Sequence, residues 1–165
     1  MSVNISAIQL RKDNFVEFVQ NLLMTYEINP GMFEIEITES VFIDDFDDVI
    51  EKINILRGAG IRVALDDFGT GYSSLSYLKR LPLDTLKVDK TFIDTMITDD
   101  STNVITDSVV SLAKKLGFKT VAEGVETKEQ LLRLQKVGCD IIQGYLLGKP
   151  MSKSDFEKVI IRQMP

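Results

Sequence analysis

Polar and charged residues recur where short apolar runs end: Asn4, Glu36, Asp66 with Asp67, Lys87 with Asp89, Glu123 and Gln143. Carboxylates are poor strand formers, so their return at one end of otherwise apolar strands points to a wet site shared between those ends. A strand running into a polar loop would account for any one of them, whereas recurrence at every end favours a common site. Like charges gathered in one place repel unless a cation neutralises them, and carboxylate and amide oxygens suit magnesium, manganese or calcium. The absence of histidine removes the commonest general base and a favoured zinc ligand. Two hard ions a few ångströms apart would suit phosphoester cleavage, one clamping the oxygens on each side of the phosphorus and one activating a bound water at neutral pH.

The elements that must position these groups alternate along the chain. Val/Ile/Leu-rich runs near Val3–Ile5, Phe33–Thr38, Arg62–Leu65, Thr85–Val88, Thr120–Ala122 and Asp140–Gln143 read as strands, each followed by a stretch of helical periodicity. Phe15, Phe18, Val19, Leu22 and Leu23 share a helix face, with Asp13 as N-cap and Asn29-Pro30-Gly31 as the turn beyond. Phe46, Val49, Ile50 and Ile53 repeat the pattern up to Gly58 or Gly60. A shorter helix carries Leu75 and Leu78 before Pro82, and Ile105, Val109, Leu112 and Leu116 form a longer stripe closed by Gly117. Thr127 with Gln130, and Ser154 with Glu157, have the spacing of capping boxes.

Six βα units build either an open doubly wound sheet or part of an eight-unit barrel of about 250 residues. The first strand runs into Ser6-Ala7-Ile8-Gln9 with none of the glycines of a dinucleotide-binding turn, so the expectation is an incomplete barrel of six units in eight. The bulk composition agrees with one such domain. The 165 residues are 44% hydrophobic and 27% charged, with only four prolines, which is globular composition. No apolar run approaches the ~20 residues of a membrane span, and the N-terminus lacks a secretion signal; the chain reads as soluble and cytoplasmic, without membrane contact. A net charge of −6 argues against nucleic-acid polymers, whose binding needs clustered Lys and Arg, but allows a small phosphorylated ligand bridged by a cation.

Other acidic clusters read as structural. Asp44-Asp45 with Asp47-Asp48 lacks the glycine and terminal glutamate of a calcium loop and complements a helix dipole. Asp99-Asp100 opens a helix. Cys139 reads as a small buried hydrophobe.

Six ordered motifs carry a resemblance over essentially the whole chain: Val3-Asn4-Ile5-Ser6, Glu36-Ile37-Thr38-Glu39, Asp66-Asp67-Phe68-Gly69-Thr70-Gly71-Tyr72-Ser73-Ser74-Leu75, Lys87-Val88-Asp89, Ala122-Glu123-Gly124-Val125-Glu126, and Gln143-Gly144-Tyr145 through Lys149-Pro150. Together they resemble the EAL family of bacterial cyclic-di-GMP phosphodiesterases, so residues 1–165 read as a partial EAL domain, a second-messenger signalling module with a TIM-type (β/α) barrel. The resemblance implies that Asn4, Glu36 and Asp66 bind one divalent ion, Mg2+ or Mn2+, with Asp66 shared with a second ion bound by Asp67. It implies that Glu123 and Lys87 orient and activate the water that opens cyclic-di-GMP to pGpG, that Gln143 lines the pocket, and that Glu39 anchors the loop from Asp67 to Ser74, whose glycines at 69 and 71 permit positive φ.

The family barrel begins with two further βα units, the second bearing a Glu-x-Leu motif whose glutamate completes the first ion site. Residues 1–165 do not include that segment. The expectations are therefore that this chain alone hydrolyses cyclic-di-GMP poorly or not at all, and that it forms a homo-oligomer through open sheet edges. The competing readings are a non-catalytic cyclic-di-GMP receptor or protein-interaction module, and an unrelated magnesium-dependent barrel enzyme.

Overall fold

Six strands pair in parallel and in chain order: β1 (Ser2–Asn4), β2 (Glu34–Thr38), β3 (Arg62–Phe68), β4 (Thr85–Val88), β5 (Lys119–Ala122) and β6 (Ile141–Ile142). The computed structural model describes residues 1–42, 45–69 and 78–163. The sheet curls into part of a barrel with helices outside it. Among the described residues β1 and β6 each have a neighbour on one side only.

The strand pleat sorts side chains onto two faces. Ile35 pairs with Val63, Ile37 with Leu65, and Leu65 with Leu86; all are buried in the apolar layer shared with the helices. The alternate residues Glu34, Glu36, Ala64, Asp66, Thr85 and Lys87 occupy the concave face. Low on that face Glu34 accepts bonds from Ser2 Oγ at 3.0 Å and Thr85 Oγ1 at 3.1 Å. The N-terminal strand ends are fixed separately. Arg57 grips Asp84 with two nitrogens, at 2.7 and 3.1 Å, while Asp84 Oδ2 accepts the Val63 N–H at 2.9 Å. Asp140 does the same for Thr120, accepting from its backbone N and its Oγ1, both at 2.8 Å.

The helices are α1 (Ala7–Leu10), α2 (Phe15–Thr25), α3 (Phe46–Gly58), α4 (Lys90–Thr95), α5 (Asp100–Lys115), α6 (Lys128–Val137) and α7 (Lys153–Gln163). Several details depart from the sequence reading. The short α1, opened by a Ser6–Gln9 capping box, is additional. In α2 the i, i+4, i+8 line of Phe15, Val19 and Leu23 is buried, while Phe18 and Leu22, on the neighbouring line, are exposed; the N-cap is Asn14, not Asp13. The buried line of α5 is Thr106, Val110 and Ala113, so Ile105 is turned outward by about one residue's rotation. The cap of α7 is Ser152, whose Oγ accepts from Asp155 N, two residues ahead of the expected Ser154. Thr127 and Gln130 do form a capping box. Asp47 and Asp48 occupy the first turn of α3, and Asp99 caps α5 through Ser101 and Thr102. The expected helix through Leu75 and the loop from 70 onward lie outside the described residues, as does Asp44.

Candidate metal and catalytic site

Lys87, near the C-terminal end of β4, is the centre of the concave face. Its Nζ lies 2.9 Å from Glu36 Oε2, 2.9 Å from Asp66 Oδ1 and 2.7 Å from Glu123 Oε1, with the lysine side chain only 6% exposed. The strands explain this convergence. β2, β3 and β4 present Glu36, Asp66 and Lys87 on one face, and Glu123 follows β5 with its N–H bonded to Val88 O at 3.1 Å. Burial alone would lower the lysine's pKa, but hydrogen bonds to Glu123, Asp66 and Glu36 outweigh it and push the value above normal. Lys87 is therefore a fixed cation over the neutral range and has no proton to take up.

A bulge doubles the carboxylates that β3 offers to this face. Leu65 pairs with Leu86 and Phe68 with Val88, so three steps on β3 face two on β4. The extra residue is absorbed at Asp67, whose φ of +53° is left-handed, a conformation that aspartate tolerates better than most residues. Regular pleating would send Asp66 and Asp67 to opposite faces. Here Asp66, Asp67 and Glu123 each bring a carboxylate oxygen to within 4.8 Å of the others. Asp66 also steadies its neighbour, accepting the Asp67 N–H at 3.0 Å.

The electrostatics leave this corner short of positive charge. Burial raises the Asp67 pKa, and the charges of Asp66 and Asp89 raise it further. Burial likewise raises Glu123, against the opposing pull of Lys87. Asp89 stands close enough to Asp67 to raise its pKa, and caps α4 through Thr91 N at 2.9 Å. Burial would raise Asp89 too, but its bonds from Thr91 hold it below normal. The sequence placed Asp89 at a strand end without giving it a role; in the structure its charge adds to the negative potential at Asp67. Hard oxygen donors of net negative charge around a small volume fit a divalent cation of the magnesium or manganese type.

The remaining expected residues lie around this centre. Asn4 pairs with Glu36 across β1 and β2, so it is adjacent to the cluster, but it is exposed at the unpaired side of the sheet. Gln143 follows β6 and is held by its backbone, N–H to Ala122 O at 2.8 Å and O accepting from Val125 N at 3.0 Å; its side chain is exposed. Glu39 Oε1 accepts the Gly69 N–H at 3.2 Å, across the start of the glycine-bearing loop. Cys139 donates weakly to backbone carbonyls and burial raises its pKa, which keeps the thiol protonated.

Residues 1–150 match the EAL domain family. The chain is 42% identical over 151 residues to the bifunctional diguanylate cyclase/cyclic di-GMP phosphodiesterase MucR of Pseudomonas aeruginosa, covering 92% of this chain and 22% of that protein. It is 37% identical over 163 residues to the signaling protein YkoW of Bacillus subtilis, covering 99% and 20% respectively. The chain thus spans about a fifth of the length of the curated relatives it matches. Among solved structures it resembles the MucR phosphodiesterase in complex with c-di-GMP, with a TM-score of 0.89 at 41% identity over 94% of this chain and 63% of that one. It also resembles Klebsiella pneumoniae BlrP1 with manganese and cyclic-di-GMP, with a TM-score of 0.80 at 36% identity over 88% of this chain and 37% of that one.

Proposed function

The chain belongs to the EAL domain family, and from that premise we propose that residues 1–165 are the larger part of one EAL domain that opens cyclic-di-GMP to linear pGpG. The observation that carries this reading is the cluster of Asp66, Asp67 and Glu123 around a volume fit for a cation, braced by Lys87. Asn4, Glu36 and Asp66 would hold one ion, Mg2+ or Mn2+, and Asp66 with Asp67 a second. Such ions neutralise phosphate oxygens and lower the pKa of water. Glu123, raised in pKa and hydrogen-bonded to Lys87, takes a proton from the attacking water, and Lys87 fixes the direction of that carboxylate. Gln143 borders the space a dinucleotide would fill. Glu39 holds the loop after β3 at its first residue. No helix among the described residues is long and apolar enough to cross a membrane; a cytoplasmic location is part of this proposal, because a cyclic dinucleotide messenger is met there.

The open sheet bears on activity. Among the described residues β1, which carries Asn4, pairs on the side of Glu36 only, an arrangement that would leave this side of the site wet and loosely positioned. The 165-residue chain should therefore release pGpG slowly, at least about 10²-fold below a version extended upstream by two βα units bearing a Glu-x-Leu strand. The assay is pGpG release with Mg2+ or Mn2+ for both forms. Equal rates would remove any need for the added strand. Binding of cyclic-di-GMP without release by either form would favour the second reading, a receptor or interaction module, to which the exposed position of Asn4 already points.

The same edges should drive self-association, since Ile8, Phe18 and Met24 in the helices that follow β1, and Ile141 and Leu147 in and after β6, are exposed. Sedimentation equilibrium is expected to show a dimer or larger species of the 165-residue chain at micromolar concentration. A monomer at high concentration would reject this.

A further inference from the structure

Gln130 does more than cap a helix. Its Oε1 accepts the N–H groups of Glu126 at 2.8 Å and Thr127 at 2.9 Å, and the second of these is the ordinary capping-box bond of α6. Capping alone would leave its amide nitrogen to solvent. Instead the residue is buried and Nε2 donates to Ile93 O at 2.9 Å, a carbonyl 37 residues away in α4. Because α4 ends at Thr95, that carbonyl is one of those a short helix leaves without an intrahelical partner. A second contact joins the same two segments from outside. Lys90, the first residue of α4, pairs with Glu126 at 2.6 Å. Its stem crosses Gly124, where φ is +70° and a Cβ would lie 2.4 Å from Lys90 Cγ. Gly124 thus permits the crossing.

These contacts bear on the site because of what each segment carries. α4 follows Lys87 and Asp89 directly, and residues 123–127 begin with Glu123. We propose that Gln130 is a positioning residue for Glu123, clamping the segment after β5 to α4 so that the 2.7 Å contact between Lys87 and Glu123 is held from outside the sheet as well as within it. The Lys90–Glu126 pair is the exposed half of the same clamp. The inference rests on the reading that Glu123 and Lys87 act together at a cation site.

Gln130→Glu separates clamp from cap, since glutamate at this position still accepts both N–H bonds yet cannot donate to Ile93 O. Amide exchange by NMR is expected to show α6 protected as in the wild type, with the amides of residues 123–125 exchanging about tenfold faster. Mn2+ affinity by calorimetry should fall about tenfold in the same variant. Lys90→Met keeps the stem over Gly124 and removes only the ion pair; it should move both readouts the same way, by about threefold, and it guards against a folding defect in the first variant. Faster exchange confined to residues 126 and 127, or an unchanged Mn2+ affinity in a variant whose 123–125 amides are released, would overturn the proposal. A wild-type chain that binds no Mn2+ would count against the cation reading, and exchange at 123–125 would then decide the clamp by itself.

Discussion

Lys87→Met is expected to destabilise the chain by about 3–5 kcal/mol at neutral pH, because it removes one partner of a buried charge network and leaves the others uncompensated. In the native chain a single ammonium touches Glu36, Asp66 and Glu123. Without it those carboxylates repel, and Glu123, whose pKa burial already raises, loses the opposing pull of Lys87. An acid whose folded pKa is raised loses stability as pH climbs above its unfolded value, so the deficit should be small near pH 4, grow toward neutrality and shrink again on acidification. A divalent cation can take over the missing charge, so millimolar Mn2+ should restore most of the loss. Urea unfolding followed by circular dichroism at pH 5 and 7.5, with and without Mn2+, measures all of this. An unchanged midpoint at pH 7.5 would mean that Lys87 is not what holds the acids together.

The second large effect concerns turnover. Glu123→Gln, introduced into the form extended by the two βα units, should lower kcat by about 10²–10⁴-fold, since the amide keeps the shape and the hydrogen bond to Lys87 but cannot take a proton. KM should change little, because cyclic-di-GMP would be held by groups other than Glu123. pGpG release over a range of substrate concentrations separates the two parameters. A loss confined to KM would move Glu123 from proton transfer to binding.

The sequence made the strands legible because each is a short β-branched or aliphatic run that ends in a turn residue or a charge. β4 coincides with its expected limits, β2 and β5 differ from theirs by one residue at one end, and β1 and β6 by one residue at each end. β3 is the exception. Its apolar run stops at Leu65, but pairing continues to Phe68 through the two aspartates, because a bulge lets acidic residues remain in the ladder. Periodicity cannot show a bulge, since the extra residue looks like the beginning of a loop. The helix faces were harder for a related reason. In α2 five apolar residues span more arc than the sheet can cover, and only packing decides that Phe15, Val19 and Leu23 are inside while Phe18 is not. Strand-end position was enough to single out Glu36, Asp66, Lys87 and Glu123, which the structure brings together. It could not reveal that Asp89 adds its charge to that of Asp67 or that Gln130 reaches Ile93, because both pairs join elements far apart in the chain.

The bulge at Asp67 also has a meaning for how such a site is inherited. Adjacent carboxylates that share one face are encoded here by the number of residues in β3, not by their identity alone. Deleting one residue at this point would heal the ladder and bring Phe68 into the place of Asp67, so an aromatic ring would stand where the proposed cation would need an oxygen. Substitution could not easily undo that loss. The spacing of β3 is thus a frame of length, and an insertion or deletion there separates descendants that keep both aspartates in register from those that keep the fold alone.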